Sequence, residues 1–277
     1  MGLRHALSVL LALLTPCAAL PAASCQECHP VHYEAAGTCV SCHRGDPRSH
    51  RLEVAHRDLV ASRYSHFALP GSPVVARGQK LVDLAGCRRC HVTGGRGNGL
   101  ATNLDRLLPG ARPDEVLAAV QSPALFMPQF AFSEVAATEI VNALFASSAK
   151  APPRAGETPL VVHFEKAAKD DNAFAKVCGG CHRMLTLLQG GLGVGAVGPN
   201  LSGLLGENYP GVFKVNEPWM PSNLKQWIAN PRASRHQAVM PPLKLGEQEW
   251  ERVLEFFDDP GGRAAATAVG GTPRGIR

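Results

Sequence analysis

Four times in 277 residues the chain sets two cysteines three positions apart and follows the second with a histidine: Cys25-Gln26-Glu27-Cys28-His29, Cys39-Val40-Ser41-Cys42-His43, Cys87-Arg88-Arg89-Cys90-His91 and Cys178-Gly179-Gly180-Cys181-His182. Of the nine cysteines only Cys17 stands outside these motifs. Eight cysteines would ordinarily point to disulfides in an oxidising compartment, but here the spacing argues for something else. Two thiols on one helical turn can reach the two vinyl groups on one edge of a porphyrin, and the adjacent imidazole then points at the iron. A thioredoxin-like redox pair does not need the trailing histidine. A zinc ribbon joins its two pairs across about 15–20 residues, whereas the gap after Cys28 is shorter and the later gaps are much longer. The pattern therefore predicts four covalently bound haem c groups. Cys25, Cys28, Cys39, Cys42, Cys87, Cys90, Cys178 and Cys181 are the expected attachment points, and His29, His43, His91 and His182 the expected proximal ligands.

Composition fits that cargo. Aromatic residues make up 6% of the chain, against 28 glycines and 22 prolines, so side-chain cores of ordinary size are not expected unless porphyrin fills them. The formal charge of +5 belongs to the bare polypeptide. Each haem brings two propionates, offset by at most one positive charge on a ferric iron, so four haems cancel the excess of Lys and Arg. The basic balance is thus no argument for nucleic acid, and no nucleic-acid motif accompanies it.

The first residues read as an export signal over 1–23: Arg4 and His5 precede an apolar run from Ala6 to Leu14, followed by small residues up to Ala23. This run is too short to span a bilayer. Pro16 before Cys17 does not suit lipoprotein processing, so Cys17 is expected to leave with the signal. No later stretch is long and apolar enough for a membrane span. The expected location is the periplasm or cell surface of a bacterium, with no transmembrane segment after signal removal.

Along the chain the motifs divide it unevenly. Residues 24–70 hold two motifs in a His-rich stretch and predict a compact dihaem module. Residues 71–150 predict a small helical domain, with helices over Val74–Leu84 and Pro113–Val120 and a closing helix opened by Ser133. Ala151–Pro159 reads as a linker. Residues 151–260 repeat the order: a leading helix over Phe164–Val177, the fourth motif, a Gly-rich loop, a helix near Ser222–Ala229, then Met240-Pro241-Pro242 and a closing helix over Glu247–Phe257. Residues 261–277 predict a disordered tail. The fold class expected is mainly α: a dihaem module followed by two helical monohaem domains.

The two C-terminal units resemble class I cytochrome c domains. The last unit carries the resemblance in Cys178 to His182, Gly198-Pro199-Asn200-Leu201, Trp227, Asn230-Pro231 and Met240-Pro241. It implies that the Pro199 carbonyl accepts a hydrogen bond from His182 and that Met240 ligates iron. The middle unit matches at Met127-Pro128 and in the helix after Ser133, but no Gly-Pro follows His91, which leaves the partner of that imidazole open. The whole arrangement, with Cys42-His43-Arg44-Gly45-Asp46-Pro47 and Phe164-Glu165-Lys166, looks like multihaem cytochromes of selenite- or tellurite-reduction or extracellular electron-conduit systems of metal-reducing bacteria. That likeness implies an electron pathway with redox protein partners, among them a membrane-associated conduit.

Carriers of electrons need a sixth ligand on each iron. Outside the motifs and signal the chain offers His32, His50, His56, His66, His163 and His236, and Met127, Met184, Met220 and Met240. Met127 is the one methionine between His91 and the fourth motif. Met184 lies too near His182 to reach the opposite porphyrin face. Met220 and Met240 both precede proline, and Met240, before the closing helix, is favoured. For the N-terminal pair no methionine is at hand, so bis-histidine ligation is expected, with His32 and His56 chosen and His50 and His66 as substitutes. Methionine ligation raises potentials relative to imidazole pairs, predicting a lower-potential N-terminal pair. The expected function is an exported tetrahaem cytochrome that carries electrons and has no catalytic residues of its own. The alternative is a haem enzyme, a peroxidase or oxyanion reductase, with one open or displaceable iron site.

Overall fold

A computed structural model describes residues 24–108, 110–152 and 172–257. The expected signal over 1–23, His163, most of the expected linker, the first part of the expected leading helix and the expected tail lie outside the described residues. Among those described the protein is mainly helical, and no helix is long and apolar enough to cross a membrane.

The N-terminal stretch has little regular structure. Its helices are single turns: α1 (Ser24–Cys28), α2 (Cys39–His43) and α3 (Leu52–Ala55). No residue from Cys25 to Leu59 is buried, so side chains alone give this segment no core.

The middle unit is built on two helices, α4 (Pro73–Leu84) and α6 (Glu134–Lys150), with α5 (Pro113–Gln121) against α6. Proline at the first position starts α4 and α5, where the missing N–H costs no bond. The Ser133 hydroxyl caps α6 by accepting from the Ala136 N–H at 3.3 Å. Gly78 sets how closely α4 and α6 approach: a Cβ there would stand 1.9 Å from the Glu139 carbonyl oxygen. The core gathers Val82, Leu117, Val120, Ala137, Ile140, Val141, Leu144 and Phe145.

Val60, Tyr64 and Phe67, placed by sequence in the dihaem module, pack in this same core. Fully buried Asn142 of α6 ties their segment down: its amide donates to the Arg63 carbonyl (2.8 Å) and accepts from the Phe67 N–H (3.1 Å). The N-terminal stretch is thus anchored to the middle unit through Val60–Phe67.

The last unit comprises α7 (Ala173–Val177), a two-stranded antiparallel hairpin, α8 (Pro221–Ala229), α9 (Pro231–Ser234) and α10 (Glu247–Leu254). The hairpin pairs β1 (Met184–Thr186) with β2 (Gly190–Leu192), in a stretch read from sequence as loop. Its core includes Phe174, Met184, Leu192, Leu224, Ile228, Trp250, Val253, Phe256 and Phe257. Full burial of one such phenylalanine contributes about 1.5–3 kcal/mol. Met184 is 2% exposed and serves packing. The closing helix ends at Leu254, and Phe256 and Phe257 reach the core from the turn beyond it.

Candidate functional site

All four motifs adopt one helical turn. His29, His91 and His182 each donate their backbone N–H to the carbonyl of the motif's first cysteine, at 2.9, 3.0 and 2.9 Å, and the second motif is α2 itself. Both thiols of each motif are thereby held a turn apart, with the imidazole just beyond. The eight described cysteines are free of disulfides. Burial pushes the thiols of Cys87 and Cys178 up to about 11, and that of Cys90 upward too, so these sulfurs are held as neutral thiols.

Three of the four imidazoles are set in one tautomer. His43 Nδ1–H donates to the Val60 carbonyl (2.9 Å), His91 to Thr102 (2.8 Å) and His182 to Pro199 (2.8 Å). With Nδ1 carrying the proton, Nε2 presents a lone pair, the arrangement of a metal-ligating histidine with its supporting bond. Burial pushes His91 below the ordinary imidazole value, favouring the neutral ring that can ligate, while its bond to Thr102 acts in the opposite direction. Thr102 supplies the partner that the absent Gly-Pro had left open. Gly198 makes room for the fourth ring: a Cβ there would lie 2.2 Å from His182 Cε1.

In the N-terminal stretch, the chain brings the histidines together in pairs. The rings of His29 and His56 have centres 6.0 Å apart at an interplanar angle of 61°, and those of His43 and His32 lie 5.9 Å apart at 78°. Two imidazoles bound through nitrogens at about 2 Å on opposite sides of one metal have ring centres about 6 Å apart. His32 also directs Nδ1 to a backbone carbonyl, that of Pro30 at 3.2 Å, which frees its Nε2. A cavity of 740 Å³ opens beside the second pair, lined by Cys39, Cys42, His43, His32 and His66. His50 instead meets Glu27 at 3.3 Å with both side chains largely exposed.

The last unit holds a cavity of 910 Å³, lined by Cys178, Cys181, His182, Trp219, Trp227 and Met240 among others. Sites for organic cofactors and ligands usually occupy about 300–1,000 Å³. Met240 is on the cavity wall, whereas Met220 caps α8 half exposed and is not. His236 lines the cavity too, next to Arg235, whose guanidinium lies over the Trp227 ring. In the middle unit Met127 is half-buried between α5 and α6. Among the described residues no hydrogen bond or ring contact joins it to His91.

Four buried side-chain polar atoms have no partner among the described residues: the Ser72 and Ser234 hydroxyls, and two that bear on the motifs, Arg44 Nη2, whose sister Nη1 donates to the Ala111 carbonyl at 3.2 Å, and the Tyr64 hydroxyl. Both belong to residues that touch the middle unit, and both are donors that a carboxylate would satisfy. Sequence reading missed the Val60 and Thr102 carbonyls, because any residue can offer a backbone oxygen and no side-chain signal marks it.

No protein family matches the chain, and neither the curated proteins nor the solved structures include one significantly similar to it.

Proposed function

We propose that the chain is an exported tetrahaem c-type cytochrome that carries electrons in the periplasm or at the surface of a bacterium. The single observation behind this reading is the repeated pairing of two thiols on one turn with an imidazole whose Nε2 is free to ligate. Each of these motifs would hold one haem c: the cysteines through thioether bonds, and His29, His43, His91 and His182 as proximal ligands. Haem supplies a one-electron iron couple. The chain's own contribution is to fix the imidazole tautomer through the Val60, Thr102 and Pro199 carbonyls.

Opposing ligands are available for a carrier: His56 facing His29, His32 facing His43, Met127 for the third centre and Met240 for the fourth. The free donors at Arg44 and Tyr64 suit haem propionates. In this reading the architecture is a dihaem module followed by two class I cytochrome c-like units, and the partners are redox proteins, including a membrane-associated conduit.

The test is production in a bacterial host with cytochrome c maturation machinery, followed by intact mass and reduced spectra. Four added haem masses and a six-coordinate, low-spin ferric spectrum that does not bind carbon monoxide on reduction are the expected result. A colourless protein at bare polypeptide mass would overturn the proposal, and ready carbon monoxide binding would turn it toward a haem enzyme.

A further inference from the structure

The loop that orients His182 does not serve its own unit alone. Pro199 is followed by Asn200, and this residue reaches across to the middle unit with several of its polar atoms. Its side-chain amide donates to the Phe126 carbonyl at 2.8 Å, one residue before Met127. Its backbone carbonyl accepts from Arg89 Nη1 at 3.2 Å, inside the third motif, and from the Tyr209 hydroxyl at 3.1 Å. Its side-chain oxygen accepts the Ser202 N–H (2.9 Å) and hydroxyl (2.6 Å), which fix the amide's orientation. The fully buried Ser202 hydroxyl also faces the Cys90 thiol.

Packing around this bridge leaves no slack. A Cβ on Gly203 would stand 2.8 Å from Asn98 Nδ2 and 2.9 Å from the Arg89 carbonyl oxygen. One on Gly191 would stand 2.0 Å from the Phe126 ring, so that ring lies flush against the hairpin. Asn208 donates to Asn98 across the same seam at 3.2 Å.

From these contacts we infer that Asn200 is a positioning residue shared by the third and fourth centres, holding the Met127 segment of one and the Pro199 carbonyl of the other in a single register. The inference rests on the tetrahaem reading above. It makes the two C-terminal sites one mechanical unit, although the sequence reads them as separate repeats. Loosening the bridge from the fourth unit's side therefore disturbs the third centre, and loosening it from the third unit's side disturbs the fourth.

Two charge-conserving variants of the matured protein test this. Asn200→Ala removes the donor to Phe126, and Arg89→Lys keeps the cation but withdraws the guanidinium from Asn200. Intact mass is read first: wild type with fewer than four haems would sink the tetrahaem reading and this inference with it. In four-haem protein, Asn200→Ala is expected to weaken the red-edge absorption of methionine-ligated ferric iron. It should also shift the third centre's reduction equilibrium about tenfold, equivalent to about 59 mV for one electron. Arg89→Lys is expected to move the fourth centre's potential, and it carries the test alone should Asn200→Ala fail to mature. Four-haem variants with both potentials and the methionine band unmoved would overturn the inference, as would an Asn200→Ala effect confined to the fourth centre.

Discussion

The indole Nε1–H of Trp227 donates to the sulfur of Met240 at 3.2 Å. Trp227 comes from α8 and Met240 from the segment before α10, so the bond sets the thioether against the wall of the fourth cavity. It occupies one sulfur lone pair and leaves the second for a metal.

If Met240 ligates the fourth iron, Met240→Ala opens the distal position on one iron of four. The expected outcome is a high-spin fraction of about a quarter of the haem and a lower potential at that centre by more than the ~59 mV of a tenfold change. Met220→Ala should leave both unchanged. Trp227→Phe should keep the ligand and lower the potential by at most ~40 mV, since a hydrogen bond of this kind is worth about 1 kcal/mol. Redox titration with optical detection checks all three, and an unaltered Met240→Ala spectrum would remove Met240 from the ligand set.

Paired imidazoles make a magnetic prediction. If each pair held one ferric haem iron, rings inclined at 61° and 78° would leave the two iron orbitals that interact with them nearly degenerate, whereas parallel rings would split them. Low-temperature electron paramagnetic resonance of the ferric protein should therefore show highly anisotropic low-spin signals from the N-terminal centres. His56→Ala and His32→Ala should each remove one such signal and add a high-spin one. Retention of both signals in either variant would reassign that ligand, with His66, which lines the cavity beside the His43–His32 pair, next in line for His32.

Gly198 is predicted to be irreplaceable for steric reasons. A methyl group 2.2 Å from His182 Cε1 must displace the ring or the Pro199 carbonyl that orients it. Overpacking of this kind costs about 1–3 kcal/mol. If the chain carries four haems, Gly198→Ala should lower the thermal midpoint and yield protein with three haems by mass; full loading with unchanged melting would contradict the fitted cradle.

Acid stability should draw on the loop after the second motif. Arg48 grips Asp46 in a two-pronged pair at 2.9 and 2.8 Å and donates its backbone N–H as well, which lowers the Asp46 carboxyl to about 2 from 3.8. A depressed folded value means the contribution is present above pH 3.8 and is lost as pH falls through about 2. Asp46→Asn removes it at neutral pH, so its acid unfolding midpoint should lie higher than wild type. The effect is small because the pair is solvent-exposed; identical acid titrations of the Soret band would show that the pair contributes nothing.

Several elements were legible before the fold was seen. Apolar residues at helical spacing marked α4, Asp114 and Glu115 in a first turn marked α5, a helix was expected near α8, and Ser133 marked the start of α6, because these signals act within one turn of chain. The hairpin over Met184–Leu192 was not legible. Gly190 and Gly191 argue against a strand locally; Gly190 takes a left-handed φ of 68°, and Gly191 lies against the Phe126 ring of another unit.

The sequence by itself determined the donor inventory, because two thiols and an imidazole on one turn are a local fact of five consecutive residues. Which second imidazole stands by His29 and by His43, and which carbonyl locks the tautomer of His43, His91 and His182, was decided by tertiary structure. His29 and His56 are far apart in sequence, as are His43 and Val60, and Asn200 and Phe126, and they meet only when helices pack. Backbone oxygens such as those of Val60 and Thr102 carry no residue identity, so no sequence pattern could have singled them out.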